Sequence, residues 1–195
     1  MEKLSLDPLF LPSVKDAERM MEIFNIYCSP GKCKVNDIMD LSRSYCAQFI
    51  AVRDNEAGGR IAGYMVTVPI TDEYFAKFIK GETFGLGEAP YPEKAFPIER
   101  PNTDKFIIDC LMTDPEYVTY PVWLDLLLQA VSCLDDVANG EAQIAAKTNL
   151  KTGHEFYTRC LHMRPVNKGA TGIVYKTTLA EMTDVVMRMG SPSRR

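Results

Sequence analysis

The sequence predicts a mixed α/β domain spanning 1–195, and three observations carry that prediction. Strand-like and helix-like segments alternate along the chain; a hairpin signal joins residues 47–53 to 60–70; and a strand-to-helix junction runs from Phe106 to Leu128. A chain of 195 residues, 46% hydrophobic and 25% charged, has the usage of an ordinary globular protein large enough to build a real core. Its net charge of -4 and pI near 5.3 argue against a nucleic-acid partner, which would call for a basic face.

The elements follow in order. Leu9-Phe10-Leu11 reads as a first strand. Ser13, with Asp16 three residues on, caps a helix with apolar positions Ala17, Met20, Met21 and Phe24. Ser29-Pro30-Gly31 breaks it, and 36–45 forms a second helix. The runs 47–53 and 60–70, rich in Phe, Ile, Val, Tyr and Thr, flank Asp54-Asn55-Glu56-Ala57-Gly58-Gly59 as hairpin strands. A short helix over 72–80 precedes 81–104, whose prolines and glycines mark a long loop carrying Phe84, Tyr91 and Phe96, either a specificity lid or a mobile insertion. Phe106 to Met112 is a buried central strand and 121–137 an apolar-faced helix, with Pro121 at its first position. A strand at 141–147, a helix at 154–163, a strand at 172–177 and a helix at 179–189 complete the order βααββ, helix and loop, βαβαβ and helix, before a polar tail at 190–195 that frays.

Met1 to Ser5 lacks the basic and apolar regions of a signal peptide, and no apolar run approaches ~18 residues, so no membrane partner and a cytoplasmic location are expected. The six cysteines show no Cys-x-x-Cys pair and are expected reduced. Cys28 and Cys33 form at most half a metal site, and with only two histidines no metal is expected.

Ligands of open α/β sheets collect beyond the carboxyl ends of strands, and helix N-termini favour anions. Here that region is 109–123. Asn149, Glu155-Phe156-Tyr157 and Leu161-His162-Met163, together with Asp114-Pro115-Glu116-Tyr117, are similar to the corresponding signatures of the GNAT superfamily of acyl-CoA-dependent N-acyltransferases. The element order resembles that family from about Phe10 to Lys176. The resemblance implies a mostly antiparallel central sheet flanked by helices. It also implies acetyl-CoA or another acyl-CoA as co-substrate and an amine on a small molecule or a protein as acceptor.

Carried over to this chain, the resemblance makes Leu111 and Met112 the backbone partners of the pantetheine arm, with Asn149 nearby, and Thr119, Val122 and Trp123 parts of the pyrophosphate loop. Tyr157 becomes the general acid for the departing thiolate. The family's loop carries Arg or Gln and small residues, whereas Val118-Thr119-Tyr120-Pro121-Val122-Trp123 has no glycine to let a phosphate approach the backbone. Amides of Val122 to Leu124 at the helix start remain as anion donors.

Among Asp109, Glu73 and Glu116, Asp109 is the favoured general base, since burial between Ile108 and Cys110 would raise its pKa. Each assignment has a structural alternative: Tyr157 packing on the sheet, Asn149 capping the next helix, Asp109 at a solvated strand end or paired structurally with a lysine. Cys110 with His154 or His162 as a nucleophilic pair is the lesser reading, because an apolar strand does not lower a thiol pKa. For the whole protein the alternative is a binding module on the same scaffold, its cofactor loop filled by Tyr120, Pro121 and Trp123 so that it no longer binds CoA.

Overall fold

A computed structural model describes residues 3–28, 31–43, 47–82, 84–97, 104–117, 121–169 and 172–191. In order they form β1 (Leu4–Asp7), α1 (Val14–Tyr27), α2 (Val35–Arg43), β2 (Gln48–Asp54), β3 (Arg60–Pro69), α3 (Asp72–Ile79), β4 (Lys105–Thr113), α4 (Val122–Asp135), β5 (Gln143–Thr148), α5 (Lys151–Glu155), β6 (Arg164–Gly169), β7 (Gly172–Thr178) and α6 (Leu179–Gly190). The strands make one sheet in the order β1-β2-β3-β4-β5-β7-β6. Among the described residues only the β4–β5 pairing is parallel. No helix among the described residues is long and apolar enough to cross a membrane.

Helices cover both faces, so the central strands read as nearly continuous apolar runs. Ile50, Val52, Met65, Phe106 and Ile108 pack on the α4 and α6 side. Phe49, Ala51, Tyr64 and Val66 face α1 and α2. The α1 terminus is set locally: the Ser13 hydroxyl accepts from the Asp16 amide at 3.2 Å and the Asp16 carboxylate accepts from the Ser13 amide at 3.0 Å, the expected capping box. The residue 72–79 helix and the hairpin likewise lie where the sequence puts them.

The first strand is a correction. It lies at Leu4–Asp7, pairing Leu4 with Asp54 and Leu6 with Val52, and not at 9–11. Pro8 ends it, and Leu9 turns with φ 51°, leaving Leu11 81% exposed. Phe10 alone keeps a sheet bond, donating its amide to Phe49 O at 3.0 Å. β6 is an added strand. Arg164-Pro165-Val166-Asn167-Lys168-Gly169 carries no apolar alternation because it sits at the sheet edge, where charge and proline are tolerated.

Pro121 is also displaced by one position: it is the N-cap, and α4 begins at Val122. The expected helix at 154–163 begins earlier, at Lys151, and continues through Phe156–Cys160 as a π-helical turn. His162 follows with φ 52°, the left-handed residue that closes a helix and that glycine usually supplies.

Candidate active site

The β4–β5 register makes the opening. Lys105 to Ile108 pair with Gln143 to Ala146, and there the pairing stops. β4 continues to Thr113 against β3 alone, while β5 continues to Thr148 against β7. Two parallel strands that part in mid-sheet leave a gap at their carboxyl ends, the position where such sheets bind ligands.

A β-bulge sits at the parting point. Thr67 opposes Ile108 and Val66 opposes Cys110, so Asp109 is the extra residue. The bulge shifts the alternation of β4: Phe106 and Ile108 face α4, but Cys110 and Met112 face α1. Bulges re-aim side chains beside functional sites. This one turns Asp109 toward the gap, where it lines the clefts on either side.

Gly85 and Leu86 of the 81–104 loop close over that carboxyl. Leu86 donates its amide to Asp109 Oδ2 at 3.1 Å. Gly85 is required next to it, since its φ is +129° and a Cβ there would lie 2.3 Å from Asp109 Oδ1. The described part of the loop is packed: Phe84, Leu86 and Ala95 are buried, and Tyr91 bridges Phe84 and Phe96 with ring centroids 5.3 and 5.7 Å away. Lys147 on β5 ties the loop down through Glu88 at 2.8 Å. Burial lifts the Asp109 carboxyl from 3.8 to about 7, the Leu86 amide and the Lys147 charge opposing and Glu88 adding. The carboxyl is enclosed by protein yet keeps contact with the cleft, as a base acting on a bound ligand requires.

The cleft on the α5 side, about 370 Å³, is lined by Leu111, Met112, Trp123, Phe156 and Tyr157 together with Asp109. Leu111 and Met112 lie on the stretch of β4 that has no partner strand on the β5 side. Tyr157, 8% exposed, is placed by the π-helical turn, its ring 5.3 Å from that of Tyr175. The Tyr175 hydroxyl meets His154 Nδ1. Burial pushes the Tyr157 phenol well above its ordinary range, with Cys110, Asp109 and Tyr175 adding. Trp123 stands edge-on to Phe156, centroids 5.5 Å apart, and forms part of the wall without filling the gap.

The remaining candidates divide. Thr119, with Val118 and Tyr120, lies outside the described residues. Val122 turns a fully buried side chain into the core against Gly63, leaving only its amide for a ligand. The Leu124 amide is not free, because it donates to Pro121 O at 2.8 Å. Asn149 is exposed at the end of β5, lining the α1-side cleft; it caps nothing, since Leu150 is the N-cap of α5 and the Thr148 hydroxyl accepts the Leu150 amide at 3.1 Å. Glu73 pairs with Lys77 and Glu116 with Arg60, neither lining the gap. Burial raises the Cys110 thiol far above its ordinary value, and His154 is engaged by Tyr175, which removes the nucleophilic pair. Glu88, Lys147 and the Leu86 amide were missed, being brought to Asp109 from distant positions; only the end of the apolar run Ile144-Ala145-Ala146 marks Lys147 as a strand-end residue.

No family model matches the sequence, and no curated protein matches it. Solved structures do. An acetyltransferase from Streptococcus agalactiae superposes with a TM-score of 0.60 at 13% identity, over 91% of this chain and 99% of that one. The chain has the fold of solved GNAT-family acetyltransferases, among them one from Staphylococcus aureus at a TM-score of 0.58 and 13% identity over 90% and 99% of the two chains. PaiA N-acetyltransferase from Thermoplasma acidophilum, solved with coenzyme A, matches with a TM-score of 0.56 at 12% identity over 91% and 99% of the two chains. A ribosomal-protein alanine N-acetyltransferase from Escherichia coli matches at 0.57 and 10% over 91% and 94%. Identities this low leave the GNAT likeness to the backbone, so the chemistry rests on the side chains at the β4–β5 gap.

Proposed function

We propose that the protein is an acyl-CoA-dependent N-acyltransferase, acetyl-CoA or a longer acyl-CoA being the donor. The observation that carries this reading is the parting of β4 and β5 with Asp109 and Tyr157 on one cleft. The unpaired side of β4 at Leu111 and Met112 suits an amide-bearing arm, which would extend the sheet in place of β5. The Thermoplasma structure shows that this fold admits coenzyme A in one neighbour.

In the reaction so read, the acceptor amine attacks the thioester carbonyl. Asp109, ionising near neutrality, takes the amine proton; the C–S bond then breaks. Tyr157 serves the departing sulfur. A phenol held above 10 does not hand its proton fully to a thiolate of pKa ~8.5, so Tyr157 acts chiefly as a hydrogen-bond donor to developing negative charge. The fit of the nucleotide end is carried by the Val122 and Trp123 amides at the start of α4.

Thermal denaturation with and without acetyl-CoA tests the reading. At a hundredfold excess over Kd the melting temperature rises by several degrees, corresponding to about 2.7 kcal/mol. No shift with acetyl-CoA or longer acyl-CoAs at millimolar concentration rejects it in favour of the binding module that excludes CoA.

A further inference from the structure

On the α1 side of Asp109 lies a second cleft of about 290 Å³, near the lower limit for small-molecule sites. Phe24, Phe78, Phe84 and Leu86 among its lining residues are each no more than 7% exposed. Its charged groups are two carboxylates, Asp109 and Glu88, and two lysines, Lys32 and Lys147. Lys147 is fixed: its side chain is 13% exposed, its ammonium bonds Glu88 at 2.8 Å, and its charge acts on the Asp109 carboxyl. Lys32 lines the same cleft, its Cβ 3.7 Å from the position a Cβ on Gly87 would take.

The cleft therefore carries both signs of charge, Asp109 and Glu88 beside Lys32 and Lys147. A plain alkylamine presents nothing to the lysines, and a polyamine brings them further positive charge. A phosphorylated acceptor meets Asp109 and Glu88. An α-amino acid carries its carboxylate on the carbon that bears the amine, so one small molecule presents both charges to a cleft that holds a base and cations.

Building on the acyltransferase reading, we propose that the acceptor is a free α-amino acid with an apolar side chain. Its amine faces Asp109, its carboxylate Lys147 and Lys32, and its side chain the Phe24, Phe78 and Phe84 surface. The ammonium first releases one proton to solvent; the free amine nitrogen then forms the new C–N bond to the acyl carbon, Asp109 takes the second amine proton, and the C–S bond breaks. The departing thiolate takes up a proton from solvent, and Asp109 returns its own to solvent, so the products are the N-acyl amino acid, CoA thiol and one proton. A peptide N-terminus has an amide where this carboxylate stands and loses the lysine contact.

The test uses three probes with the same ring: L-phenylalanine, phenylalaninamide and phenethylamine, with acetyl-CoA as donor and mass detection of product. The expected kcat/KM for phenylalanine exceeds both others by about tenfold or more, as one charge-assisted contact predicts. Lys147→Met erases the preference and Lys147→Arg keeps it; Lys32→Ala weakens it if the Lys147 variants do not fold. Equal use of the three probes, or turnover of the amide or amine alone, overturns the amino-acid assignment and leaves acyl transfer standing. Calorimetric binding of phenylalanine and phenethylamine without donor reads the assignment independently of catalysis: tighter phenylalanine binding supports it even where acetyl-CoA fails to bind, and equal or absent binding overturns it.

Discussion

The β4 wall of the cleft and its helix wall differ in what holds them. On the β4 wall, Asp109 is fixed by a bulge within a strand paired to β3, by the Leu86 amide and by a loop in which Phe84, Leu86 and Ala95 are buried. On the helix wall, α4 begins at Val122 behind an N-cap, Pro121, that supplies no side-chain cap, and Trp123 rests edge-on against Phe156 in a π-helical turn. Proton transfer tolerates little displacement of the base, whereas a cofactor's phosphates accept any of several amides, so under the proposed acyl transfer the rigid wall would carry the chemistry and the looser one the binding.

Asp109→Asn strikes the rigid wall and has the largest expected effect. Turnover falls about 10²–10⁴-fold, the loss typical of a general base. In the wild type kcat/KM rises with pH through about 7, and this limb is lost in the variant. Stability moves the other way. The carboxyl ionises near 3.8 unfolded and near 7 folded, so the folded state holds more proton between these values and stability declines as pH rises through that window. Asp109→Asn, which cannot ionise, is therefore more stable than the wild type at pH 8 by about 2 kcal/mol, discounted for water in the cleft and measured by denaturant titration.

Tyr157→Phe tests the boundary between the walls. Removing one hydrogen bond to developing charge lowers kcat by about 10–100-fold while acetyl-CoA affinity is unchanged. A parallel loss of affinity, or no change in kcat, would make Tyr157 a packing residue.

Trp123→Phe, on the looser wall, has the smallest effect: the edge contact is worth about 1 kcal/mol and an aromatic ring is retained. Melting temperature and acetyl-CoA affinity change little. A tenfold change in affinity would show the helix wall to be as closely specified as the strand wall and would break the comparison.

Legibility follows the range of the forces involved. The Ser13–Asp16 capping box, the hairpin around 54–59 and the apolar face of α4 depend on neighbours within a few residues, and all are read directly. β1 was misplaced because three consecutive apolar residues, 9–11, outweighed Leu4 and Leu6, whose alternation gains meaning only beside β2. β6 was missed because an edge strand needs no apolar signal. The special context of Asp109 was visible between Ile108 and Cys110, but the bulge that aims it was not, since a bulge is a property of two strands.

The sequence by itself determined the alternation of elements, the local caps and turns, and the choice of Asp109 as a chemically interesting group, while Tyr157 came from the family resemblance. Only the tertiary structure decided where β4 and β5 part, that Gly85 and Leu86 pack over the carboxyl, and that Glu88 and Lys147, 59 residues apart, meet beside it. The division is physical. Caps, turns and periodicity are short-range preferences written in adjacent residues, while a cleft, a raised carboxyl pKa and a cross-chain ion pair arise from burial, which belongs to no single segment.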